Sequence, residues 1–152
     1  MATIMKIAYH KHRTMGIQSK ELRIGNLVLD RGGKLILIDH WEYEDKVSTK
    51  RKEDSHPLTE FVDYLTPIPL TEEWLLKFGF ENIRGNFFKS KIYGNDEYIL
   101  IDLNQDCDNV YLKQINTDGE NDAILLHNEI KYVHQLQNLY FALTNVELEI
   151  NL

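Results

Sequence analysis

The residues best equipped for chemistry in this chain are its 24 carboxylates, 6 histidines and single cysteine, and their spacing decides what they can do. Asp102, Asn104, Asp106 and Asp108 put side-chain oxygens at alternate positions, as a calcium loop does. Such a loop also requires glycine at its sixth position and glutamate at its twelfth. Cys107 and Lys113 stand there instead, so a solvated acidic turn accounts for the pattern. Asp118, Glu120 and Asp122 make a second acidic turn. Successive turns of a meander lie at opposite ends of its sheet, so the two turns do not combine into one metal site. Cys107 sits between Asp106 and Asp108, whose charge disfavours the thiolate that a nucleophile needs. His10 and His12 have metal-like spacing without a nearby cysteine or third histidine, and His40, His56 and His127 stand alone. Arg31-Gly32-Gly33-Lys34 is a hairpin turn with no helix after it, not a phosphate-binding loop. The residues therefore offer no catalytic set, no metal set and no cofactor motif. An enzyme whose acid–base groups come from scattered positions, such as His127 with Glu129, is one alternative.

A candidate binding face lies instead on the last helix. At about 100° per residue, His134, Gln137, Asn138 and Phe141 fall together, opposite Leu136 and Leu139. A phenylalanine amid amides and a histidine suits recognition of a peptide or a base. The competing reading packs this helix between a sheet and the 67–80 segment, with both faces buried and the amides hydrogen-bonded structurally. Trp41 and Tyr43, just past a strand end, pose the same choice between a ligand platform and a cover for the core edge.

The elements that must position these residues read as an α+β fold. Arg23–Leu29 and Lys34–Asp39 are strand-like runs joined by Asp30-Arg31-Gly32-Gly33, whose glycines supply the positive φ of a tight hairpin. Leu35 to Ile38 is continuously apolar, which predicts burial on both faces, and Gly25 predicts a bulge or a bend. Residues 42–57 read as a polar loop, after which Phe61, Tyr64 and Leu65 return to the core. Leu70 to Phe80 carries agreeing helix signals: Thr71 as N-cap, Glu72 and Glu73 in the first turn, a Leu70–Leu75 staple and Gly79 as terminator. Trp74 lies on that helix's apolar arc and is expected to anchor the core. A meander follows over 86–93, 97–102, 109–115 and 122–127, then a helix over 131–143 with Val133, Leu136, Leu139, Tyr140 and Leu143 as its stripe. The tail over 146–152 is a candidate edge strand.

Composition limits the class further. With 152 residues, 43% of them hydrophobic, the chain supports one domain with a real core. Residues 1–20 lack apolar periodicity and read as an N-terminal arm, leaving 21–152 as the domain. No apolar run approaches a membrane span and no signal peptide is legible. One cysteine excludes an intramolecular disulfide framework and fits a reducing, cytoplasmic compartment. A net charge of −7 argues against a general nucleic-acid partner, which needs cations to neutralise phosphates.

Three strings also carry a resemblance. Leu22-Arg-Ile-Gly-Asn-Leu-Val28, Pro67-Ile-Pro-Leu-Thr-Glu-Glu-Trp-Leu-Leu-Lys-Phe-Gly-Phe80 and Val133-His-Gln-Leu-Gln-Asn-Leu-Tyr-Phe-Ala-Leu-Thr144 resemble a family of small proteins from phages and integrated elements of gut Bacteroidales. The family often has glycine after the terminal Leu-Thr, where this chain has Asn145, the next-best left-handed terminator. The resemblance implies a phage or mobile-element origin and expression in a bacterial cytoplasm, and it carries no catalytic role. Ile24-Gly-Asn-Leu-Val28 before a hairpin also looks like the opening of a partial SH3-like barrel, which by itself fixes no function. These lines together predict an accessory binding protein that engages a host or phage protein. A virion or assembly component is the other alternative.

Overall fold

In the computed structural model, which describes residues 16–43, 45–50, 56–91, 97–103, 109–114, 123–127 and 129–150, regular structure begins with a 3-10 turn at Ser19–Glu21. The hairpin of β1 (Leu27–Leu29) and β2 (Leu35–Tyr43) follows. Asp30 organises its turn. Its Oδ1 accepts the backbone N–H groups of Gly32 and Lys34 at 2.8 and 2.9 Å, so one buried carboxylate satisfies donors that the turn leaves over. The strand expected from Arg23 starts only at Leu27, because residues 23–26 are spent on a turn. Asn26 Oδ1 accepts the Arg23 N–H at 2.8 Å, and Gly25 adopts φ +90° while its N–H donates to the Ile38 carbonyl.

The first half of the 42–57 stretch is not the loop its charge suggested, while residues 51–55 lie outside the described residues. β2 runs to Tyr43, β3 (Lys46–Lys50) pairs with it, and β4 (Leu58–Phe61) pairs with β3. Val47, Ser48 and Thr49 are all buried, and Thr49 Oγ1 donates to the Leu58 carbonyl at 3.1 Å. Three short residues with β-compatible side chains outweigh the flanking charges once a neighbouring strand covers them. The sheet order is β1-β2-β3-β4. After a second 3-10 turn at Val62–Tyr64, Thr66 exchanges both backbone hydrogen bonds with Leu29, at 2.9 and 3.0 Å, on the edge of β1 away from β2.

This first sheet serves two cores at once, which explains the apolar run in β2. Val28, Ile36 and Ile38 face one core with Val47, Val62 and Leu65. Leu27, Leu29 and Leu37 face the other, on the opposite side of the pleat. Leu35 departs from the expectation and is 40% exposed at the hairpin end.

Helix α1 (Glu72–Lys77) ends as predicted. Gly79 sits at φ +80°, the Phe80 N–H donates to the Leu75 carbonyl, and the Gly79 N–H donates to the Leu76 carbonyl. Leu75 and Phe80 are buried together, the hydrophobic contact that accompanies this bond pair. Its start is plainer than expected: Thr71 holds the N-cap backbone position, but its side chain makes no capping hydrogen bond. Trp74 is half-buried, covering the core edge with the Lys77 ammonium 4.9 Å from its ring.

The second sheet has the order β5-β6-β7-β8-β9 over Glu81–Arg84, Phe87–Lys91, Glu97–Asp102, Asn109–Gln114 and Ala123–His127. The last four are the expected meander. β5 is an addition, an edge strand exposed along its length and so without the apolar alternation that marks a strand. Phe88, Ile99 and Ile101 bury their side chains against α2 (Val133–Thr144) in the shared core. The helix starts at Val133, two residues later than the expected start at Lys131, where the extended Ile68–Leu70 segment bonds the chain: Leu70 N–H to the Lys131 carbonyl, Val133 N–H to the Ile68 carbonyl. It ends at Asn145, φ +55°, the left-handed terminator anticipated from the sequence. Beyond it, residues 146–150 form no strand; Leu148 instead buries itself as an irregular plug. The architecture is α+β, two antiparallel sheets with one short and one longer helix.

The arm boundary also shifts. Ile17 is buried at 5% exposure in the core that holds Val28 and Ile36, so the packed chain begins before residue 21. Chains starting at Gly16 and at Glu21 should therefore differ in urea-denaturation stability by about 2 kcal/mol, the value of burying one isoleucine. Equal stability of the two would show that Ile17 does not pack.

Candidate functional site

Three of the four residues predicted to form a recognition face on α2 are occupied inside the molecule. Gln137 is 2% exposed, and its Oε1 accepts the Leu27 N–H at 2.8 Å. Its Nε2 donates to the Gly25 carbonyl at 3.0 Å and, more distantly, to the Leu148 carbonyl at 3.4 Å. Asn138 donates to the Glu21 carbonyl at 2.7 Å and accepts from the buried Asn26 amide at 2.9 Å. Phe141 is half-buried beneath the Arg23 guanidinium, 3.8 Å from the ring centroid, and Arg23 in turn pairs with Glu147. The helix face thus holds the 21–27 segment and the tail, rather than the 67–80 segment, and its amides are already hydrogen-bonded within the molecule. The amides are structural because the backbone around Gly25 leaves polar groups that no strand partner satisfies.

His134 completes this face and is the least comfortable member. It is fully buried, stacked on Tyr132 with ring planes 9° apart, and neither ring nitrogen has a hydrogen-bond partner. The Glu21 carboxylate lies 3.9 Å from Nε2. Burial lowers the pKa of His134 below its usual value, and the nearby Glu21 charge opposes that shift only in part.

A different group of side chains is available at the surface. A register shift in β2 between Trp41 and Tyr43 separates their roles: Trp41 packs on the core, while Tyr43 stands 71% exposed. Tyr43 is cross-strand from Lys46, and Lys46 is cross-strand from Phe61, so the three share one face of the sheet. Phe61 and Tyr64 are 41% and 45% exposed and meet edge to face at 5.9 Å. The Lys46 ammonium lies 4.5 Å from the Phe61 centroid and 5.9 Å from that of Tyr43; the Arg31 guanidinium lies 5.1 Å from that of Tyr64. Phe61 and Tyr64 were expected in the core, and the structure reverses them. In a 3-10 turn residues i and i+3 share a side, so Phe61 and Tyr64 face out while Val62 and Leu65 face in. That i, i+3 pairing of two rings was the legible signal; which pair turns inward was not.

Among the described residues no three His, Cys, Asp or Glu side chains converge on a metal position. His40 and His56 are exposed. His10, His12, Cys107 and the acidic turns at 104–108 and 118–122 lie outside the described residues, as does the side chain of His127. Among the described residues no helix is long and apolar enough to cross a membrane. No family model, curated protein or solved structure matches this chain.

Two outcomes follow from the buried face. Gln137→Leu strands the Leu27 N–H and the Gly25 carbonyl, and at about 1–3 kcal/mol per unsatisfied group it should lower stability in urea denaturation by about 3 kcal/mol. The second concerns acid. Because folding holds His134 neutral, the unfolded chain takes up its proton first, near pH 6.5. The stability His134 permits is complete above that value and falls as pH drops from there toward the lower folded-state pKa. The melting temperature should decline over this window, and His134→Leu should remove that part of the decline.

Proposed function

We propose that this chain is a non-enzymatic binding protein, an accessory factor of a phage or mobile element acting in a bacterial cytoplasm, and that it engages a partner protein through the Tyr43–Phe61–Tyr64 face. The observation that carries the reading is that three exposed aromatic rings lie at the ends of β2 and β4 and in the 3-10 turn after β4, with Lys46 beside Tyr43 and Phe61 and Arg31 beside Tyr64. Exposed large apolar groups carry a hydration cost that a folded monomer gains nothing by keeping together. Tyrosine and phenylalanine with arginine are also the residues that dominate protein interfaces. The cytoplasmic and mobile-element parts rest on the single cysteine and on the sequence resemblance.

A photo-crosslinking residue placed at Tyr43 and, as control, at exposed Glu72 tests this in host cells carrying the protein. Specific adducts should form from position 43. Adducts no stronger than from position 72 would remove the face from consideration. Tyr43→Ala should weaken the captured interaction by about 2 kcal/mol, as loss of an aromatic anchor does, while the melting temperature stays unchanged.

A further inference from the structure

Resting on that reading of the ring face, we infer that its partner presents an acidic polypeptide segment, one that sets aspartate or glutamate carboxylates on Lys46 and Arg31 and lays apolar side chains over the rings between them. The geometry is a continuous run of contacts. The Lys46 ammonium lies 5.9 Å from the Tyr43 centroid and 4.5 Å from that of Phe61. Phe61 meets Tyr64 at 5.9 Å, and Tyr64 meets the Arg31 guanidinium at 5.1 Å. Phe61 and Tyr64 thus lie between two cations, with Tyr43 beside Lys46. A ligand that spans the face meets positive charge at two places and apolar surface between them.

Both cations are open to an anion. Arg23, Lys50, Lys77, Lys89 and Lys131 each pair with a carboxylate. Among the described residues no carboxylate forms an ion pair with Lys46 or Arg31. Lys20, Lys34 and Arg84 are unpaired as well, but among the described residues none of them lies against a ring. The acidic side chains nearest in sequence leave the two charges standing. Glu60 is cross-strand from buried Val47, on the side of β4 opposite Phe61. The Glu42 carboxylate accepts the Thr59 hydroxyl at 2.7 Å, and Asp45 and Asp63, both exposed, pair with neither cation. A cation held against a ring on one side keeps further N–H donors for an anion on another, where a carboxylate makes charge-assisted hydrogen bonds.

A polypeptide fits this face better than a polynucleotide. The planes of Phe61 and Tyr64 are 78° apart, so the two rings offer no parallel platforms for successive bases. The chain's net charge of −7 opposes any anion at a distance, and the opposition grows with the charge of that anion. It therefore favours a segment with a few carboxylates over a chain with a phosphate at every unit. A second copy of this protein carries the same −7 and is disfavoured on the same ground.

Fluorescence anisotropy with the full chain tests the inference using three labelled probes. They are a short peptide of glutamate and leucine in a glycine–serine background, the same peptide with lysine for glutamate, and oligothymidylate. The glutamate peptide should bind, and it should bind more weakly as salt rises. Lys46→Gln with Arg31→Gln should weaken it at least about tenfold and flatten the salt dependence, at unchanged melting temperature. Arg31→Gln alone, at an exposed turn, should weaken it in the same direction, which keeps the test decisive if the half-buried Lys46 cannot be changed without loss of stability. Lys77→Gln is the control, because that cation also lies over a ring, Trp74, but is already paired with Glu73; it should change nothing. The inference is overturned if the glutamate peptide does not bind, if the lysine peptide binds equally, or if the Arg31 and Lys46 changes leave affinity intact. Oligothymidylate binding, or self-association in sedimentation, that these changes abolish would overturn the acidic polypeptide while leaving the ring face as the binding surface. Specific crosslinking from position 43 without peptide binding would do the same. Absence of all binding, together with control-level crosslinking from position 43, would overturn both.

Discussion

The amide of Gln137 is the contact on which the rest of this fold depends. It is buried, and it spans α2 and the chain entering β1 by accepting the Leu27 N–H and donating to the Gly25 carbonyl. Those two backbone groups have no strand to pair with on that side, so a buried donor and a buried acceptor are both resolved by one side chain. The same side chain carries Leu27 onto the core of the second sheet while Val28, one residue on, faces the other core. With the Asn138 bonds to Glu21 and Asn26 beside it, Gln137 joins the two halves of the molecule.

Neighbouring features follow from that junction. A Cβ at Gly25 would press on the Glu147 carboxylate, whose Oε2 would lie 2.9 Å away, and the φ of +90° is costly for any other residue. Glu147 is held by Arg23, and Arg23 covers Phe141. His134 is buried at the same seam with neither ring nitrogen hydrogen-bonded. Burial keeps this imidazole neutral, so its protonation opposes folding.

With α2 committed to holding the molecule together, exposed aromatic rings are found instead on β2, β4 and the turn after β4. These rings are displayed by two devices, a register shift that turns Tyr43 outward and a 3-10 turn that turns Phe61 and Tyr64 outward. Neither device has a strong composition of its own. The polar helix face serves cohesion, while the aromatic rings of the sheet are left in solvent.

The sequence by itself determined the elements whose signals are local. The hairpin at Asp30–Gly33, the end of α1 at Gly79, the meander from Phe87 onward and the left-handed stop at Asn145 each depend on φ preferences and hydrogen bonds within a few residues, and so could be read directly. Only the tertiary structure decided what lay between. β3 and β4 hide in a charged stretch because Val47–Thr49 become buried only when strands from elsewhere cover them. The inward or outward choice at Phe61–Leu65 was set by which side of a short turn met the core. The polar face of α2 could have served recognition or cohesion equally well on its pattern. It became internal because the partners of Gln137 and Asn138 lie more than a hundred residues away in the chain, at Glu21 to Leu27, and no local pattern records a contact of that separation.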